Sequence, residues 1–78
     1  MDPTLENLVA LICEHGVLGA DEVLPESTFT SLGFDSLDHV DLILDCEEQF
    51  GIEFTDEESA SALTVHDLYQ LILSKQPA

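Results

Sequence analysis

Leu5, Leu8, Val9 and Ile12 recur at i, i+3, i+4 and i+7, the spacing that lines one side of a helix with apolar groups. Asp2 followed by Pro3 suits an N-cap with proline at the first helical position. Gly16 follows the last periodic residue, where the chain can turn left-handed. The pattern predicts a first helix over about residues 3–15. Between Gly16 and Asp35 the periodicity is lost, and Gly19, Pro25 and Gly33 break any element. A bare connection of about twenty residues is unusual in a small domain. Val17, Leu18, Val23, Leu24, Phe29, Leu32 and Phe34 are apolar pegs expected to pin it to the core. A short helical turn is expected near Asp21–Leu24.

Periodicity returns at Asp35, which can cap a second helix that opens on Ser36 and runs to Phe50. Leu37, Val40, Ile43 and Leu44 are read as its apolar face, widened by Cys46 and Phe50, and Gly51 ends it. Thr55 and Glu58 have capping-box spacing and start a short helix over about residues 56–61. Thr64 and Asp67 repeat the form and open a last helix to about Ser74, with Val65, Leu68, Tyr69, Leu71 and Ile72 as apolar positions. Ile52–Glu53–Phe54 is too short an alternation to nucleate a sheet. The expectation is an all-α fold: a small bundle of three main helices plus one short helix, with a long loop between the first and second. Residues 1–78 are read as a single domain.

Charge changes the picture more than length does. Seventeen Asp and Glu stand against one Lys and no Arg, a formal net charge of −16. With 45% apolar residues the chain still has material for one core, so the charge does not imply disorder. It does exclude nucleic-acid binding, which requires cations against phosphate, and an anionic membrane surface would repel it. No apolar run has the length of a membrane span, and the first residues resemble no export signal. Cys13 and Cys46 are expected as buried free thiols of a cytoplasmic protein, with no metal site.

The acids must lie outside, and the second helix arranges them. Asp38, Asp41, Asp45 and Glu48 fall at i, i+3, i+7 and i+10, on one side of the helix. Their like-charge neighbours cost the helix about 1 kcal/mol in all, relieved at Asp38 by the helix dipole. For one acid a solvated surface is a sufficient reading. A row in a chain with one lysine is better read as a docking face for a basic partner. Ser36 heads this row at a helix N-terminus, where backbone N–H groups and the dipole favour an attached phosphate. A plain capping serine is as good a reading of that residue alone, although Asp35 competes for the cap. His15, His39 and His66 are read as surface residues. A Ser36/His39 catalytic pair lacks an orienting acid and an oxyanion hole, and Asp35–Asp41 lacks the glycine of an EF-hand loop.

Leu32–Gly33–Phe34–Asp35–Ser36–Leu37–Asp38 resembles the Gly-x-Asp-Ser-Leu attachment motif of acyl carrier proteins. The resemblance continues through Val40, Glu47–Glu48–Gln49–Phe50–Gly51–Ile52–Glu53–Phe54, Asp56–Glu57–Glu58 and Leu63–Thr64–Val65. It implies a carrier, not an enzyme, with 4′-phosphopantetheine from coenzyme A attached to Ser36 as a phosphodiester and an acyl group held on its thiol. It implies a phosphopantetheinyl transferase and acyl-transferring, chain-elongating enzymes as partners, whose basic patches meet acids matching Asp35, Asp38, Asp41, Glu47 and Glu48. The helical spacing adds Asp45. The acyl chain would enter between the helices, with Cys46, Phe50, Phe54, Ala62, Leu63 and Leu68 as candidate lining, each of which could equally be plain core. Phe34 is bulkier than the alanine of housekeeping fatty-acid carriers. The leading reading is a monomeric carrier of fatty-acid or related acyl biosynthesis. A specialised carrier for polyketide, aminoacyl or peptidyl cargo and an unmodified acidic helical adaptor stay open beside it.

Overall fold

The computed structural model describes residues 3–16 and 19–76. Four α-helices follow in order: α1 (Pro3–Gly16), α2 (Ser36–Phe50), α3 (Asp56–Ser61) and α4 (Val65–Lys75), with a 3₁₀ turn at Ala20–Glu22 in the long loop. No strand occurs among the described residues, only one isolated antiparallel bridge between Thr28 and Thr64. The all-α expectation is met. Helix α1 runs one residue further than its periodicity predicts and includes Gly16, which therefore does not stand beyond the helix as a left-handed cap. The expected cap at Asp2 and the pegs Val17 and Leu18 lie outside the described residues.

Leu8 and Ile12 of α1, Leu42, Ile43 and Cys46 of α2, and Val65, Leu68 and Ile72 of α4 form the core. Helix α1 packs on α2 and α4. Of the loop residues, Val23, Phe29 and Phe34 are buried and Leu32 packs against the core, but Leu24 is exposed. The loop owes its order to backbone bonds as much as to these pegs. Phe29 N–H donates to the Leu63 carbonyl at 3.0 Å, Val65 N–H to Ser27 at 3.0 Å and His66 N–H to Pro25 at 2.9 Å. Residues 25–29 are thereby stitched to the α3–α4 junction, which fixes the approach to α2.

Local chemistry sets the helix ends. Thr55 with Glu58 and Thr64 with Asp67 form the two expected capping boxes. Asp35 and Asp38 form a third: Asp38 N–H donates to Asp35 Oδ1 at 2.9 Å and Asp35 N–H to Asp38 Oδ2 at 3.2 Å. Gly51 takes φ 67°, ψ 41° and closes α2 with its N–H on the Glu47 carbonyl.

The apolar face of α2 differs from the expectation. Its buried residues are Leu42, Ile43 and Cys46, while Leu37, Val40 and Leu44 are 75%, 49% and 55% exposed. Two apolar stripes of equal helical spacing exist on this helix, and contact with α1 selects the one through Leu42 and Cys46. The other stripe faces outward.

Candidate functional site

Ser36 is the first residue of α2 and is exposed. Because Asp35 caps the helix, the Ser36 hydroxyl is not needed for it and makes no hydrogen bond to the described residues. Gly33, at φ 91°, turns the chain just before, and the turn is tied by Phe34 N–H on the Phe29 carbonyl at 2.9 Å. The consequence is an unengaged primary alcohol at the positive end of a helix, held by a tied turn. These residues fit an attached phosphodiester: Ser36 is exposed, its hydroxyl is unengaged among the described residues, and the first-turn dipole favours the anion.

Beside Ser36 lies a depression of about 560 Å³ walled by Phe29, Phe34, Asp35, His39, Val40, Asp56, Ser59, Ala60 and Leu63. A larger groove of about 880 Å³ runs along Leu5, Val9, Cys13, Val23, Pro25 and Tyr69. It contains neither Ser36 nor any acid of α2, so the smaller depression is the one that belongs to the site.

The acids of α2 are not equivalent. Asp35 and Asp38 are engaged with each other's backbone in the capping box. Asp45 Oδ2 lies 2.5 Å from His15 Nε2 of α1. Glu47 Oε2 accepts the Phe54 N–H at 2.7 Å. Asp41 and Glu48 are exposed and have no partner among the described residues. Leu37, Val40 and Leu44 alternate with these acids on the outer side of the helix, an apolar component that the sequence reading assigned to the core.

The six candidate lining residues divide. Cys46, Ala62 and Leu68 are fully buried in the core, and Phe50 and Phe54 pack against it. Leu63 is 62% exposed and alone of the six borders the depression beside Ser36. Burial, followed by the charges of Asp45 and Glu47, pushes the Cys46 thiol up to about 12, so this group is inert at neutral pH. Both cysteines are free.

Two histidines are structural where surface residues were expected. His15 and His39 are half-buried, and only His66 is exposed. His39 Nε2 meets the Ser59 carbonyl at 3.0 Å and links α2 to α3. Sequence gave no signal for either link, since both partners come from distant helices. No group of three metal-ligating side chains occurs among the described residues, and no described helix is long and apolar enough to cross a membrane.

Comparison with known proteins places this geometry in a setting. Residues 4–72 match the profile of the phosphopantetheine attachment site family. The chain is 39% identical over 75 residues to an acyl carrier protein of Thermosynechococcus vestitus, covering 95% of this chain and 93% of the relative. It is 40% identical over 72 residues to an acyl carrier protein of Nitratidesulfovibrio vulgaris, covering 91% and 95%. The crystal structure of an acyl carrier protein from Thermotoga maritima superimposes with a TM-score of 0.74 at 30% identity, covering 94% of this chain and 91% of that one.

Proposed function

We propose that this chain, which belongs to the phosphopantetheine attachment site family and is an acyl carrier rather than an enzyme, carries its prosthetic arm on Ser36. The observation that supports this most is the exposed Ser36, whose hydroxyl has no hydrogen-bond partner among the described residues while Asp35 performs the capping. In the loading step Ser36 Oγ displaces the adenosine bisphosphate portion of coenzyme A from phosphorus and gives its proton to the transferase. The arm supplies a thiol that holds an acyl group as a thioester. The carrier then shuttles that group between enzymes of fatty-acid or related acyl biosynthesis in the cytoplasm.

The outer side of α2 is the proposed docking face. Asp41 and Glu48, without partners among the described residues, attract a basic patch over distance, and Leu37, Val40 and Leu44 supply the apolar contact made on arrival. Asp35, Asp38, Asp45 and Glu47 add to the field while keeping their internal bonds. Exposed ion pairs add little lasting affinity, which suits a carrier that must leave each enzyme.

Incubation with coenzyme A, Mg²⁺ and a broad-specificity phosphopantetheinyl transferase tests the reading. The intact mass rises by one phosphopantetheinyl group in the wild type and does not change in Ser36→Ala. No gain in the folded wild type leaves the unmodified adaptor as the better description.

A further inference from the structure

His39, Ile43, Cys46 and Phe50 follow one another along the inner side of α2, at i, i+4, i+7 and i+11. Ile43 and Cys46 are buried, and Phe50 packs against the core. His39 is the member nearest Ser36 and shares the depression beside it. It is also the one polar side chain of the stripe, and two contacts fix it. Its Nε2 lies 3.0 Å from the Ser59 carbonyl oxygen in α3. A carbonyl oxygen only accepts, so Nε2 carries the proton and donates. The imidazole stands edge-on to the buried Phe29 ring, with centroids 5.2 Å apart and planes at 74°. His39 thus joins α2, α3 and the long loop where the depression meets the core. The α3 side of this junction is the yielding one. No residue of α3 is buried, and among the described residues its remaining side-chain tie to another helix is the Glu58–Lys75 pair at 2.8 Å.

We infer that His39 is a specificity-determining residue of the carrier. Its bond to the Ser59 carbonyl, with the ring set against Phe29, closes the way from the Ser36 depression to the apolar interior between α2 and α3. An alkyl group borne on Ser36 passes inward only when that bond opens. Short or polar cargo leaves it shut and stays in the depression. A longer alkyl chain gains burial with each methylene and displaces α3 from His39.

The inference rests on the carrier reading, and its test separates the two. Intact mass first establishes loading on Ser36, so a failure there is seen before any other measurement. Acetyl-loaded and octanoyl-loaded wild type are then compared by long-range proton–nitrogen NMR of the His39 ring. The Nε2 signal is expected to match the unloaded protein with acetyl and to shift with octanoyl. His39→Ala is expected to slow hydroxylamine cleavage of the octanoyl thioester by about threefold or more relative to wild type, the factor set by an ordinary hydrogen bond. Equal cleavage rates in folded wild type and His39→Ala overturn the inference. So does an octanoyl chain in contact with Ile43 and Cys46 while the Nε2 signal keeps its acetyl position. That second measurement uses the wild type alone and stands even where the variant does not fold.

Discussion

Ser36 and Cys46 share one helix and have opposite surroundings. The serine is exposed and has no partner among the described residues, whereas the cysteine is sealed in the core with its thiol pushed up to about 12. Iodoacetamide at about pH 8, near the ordinary thiol pKa, is therefore expected to label the half-buried Cys13 in the folded protein and Cys46 only after denaturation. Mass mapping of the alkylated peptides checks the order, and prompt labelling of Cys46 in the native state contradicts it. At Gly51 the left-handed φ of 67° leaves open space where a Cβ would stand, so only the backbone resists substitution. Gly51→Ala is expected to cost about 1 kcal/mol in thermal or urea unfolding. Gly51 is legible in sequence because it follows a long periodic run. Gly16 misleads, because a glycine beside an apolar stripe reads as a stop whether or not the helix absorbs it.

At the scale of elements, what was legible is what is local. The boxes at Thr55 and Thr64 involve residues three apart, and the sequence displays them directly. Which stripe of α2 faces inward is decided by α1, and periodicity alone cannot choose between Leu37–Val40–Leu44 and Leu42–Cys46. The pairing of His15 with Asp45 was hidden for the same reason. Helix α3 is the element held least by burial, so its polar ties matter. Lys75 holds the Glu58 carboxyl below the usual carboxylate range by a hydrogen bond, helped by the Thr55 N–H. A carboxyl lowered in the folded state contributes stability above its unfolded value of about 4.3 and loses it as pH falls through the folded value. Amide protection in α3 is therefore expected to drop below about pH 4. Lys75→Gln is expected to lower α3 protection at neutral pH while α1 and α4 keep theirs. Hydrogen exchange read helix by helix checks both, and uniform loss across all helices contradicts a local tie.

For the whole molecule the dominant fact is a net charge of −16 around one small core. Self-repulsion weakens such a fold, so added salt or Mg²⁺ is expected to raise its melting temperature. In the docking proposed above the same field draws in basic enzymes, and the structure identifies the acids whose replacement tests it without confounding. Asp41→Lys and Glu48→Lys remove no bond among the described residues, whereas Asp38→Lys breaks the α2 capping box. The double variant Asp41→Lys/Glu48→Lys is expected to be loaded more slowly at low salt with its helicity intact. The difference should shrink as ionic strength passes about 0.15 M. Rates equal to wild type at low salt contradict the docking face. The charge was visible from composition, and the side of α2 that presents it from spacing, but the apolar residues between the acids emerged only with the fold.

Everything at these three scales converges on one oxygen atom. Fragmentation mass spectrometry of peptides from the transferase-treated wild type locates the added group residue by residue. The account predicts a single phosphopantetheinyl group on Ser36. Its appearance on another hydroxyl, such as Ser31 or Ser59, or on none while the protein remains folded, contradicts it.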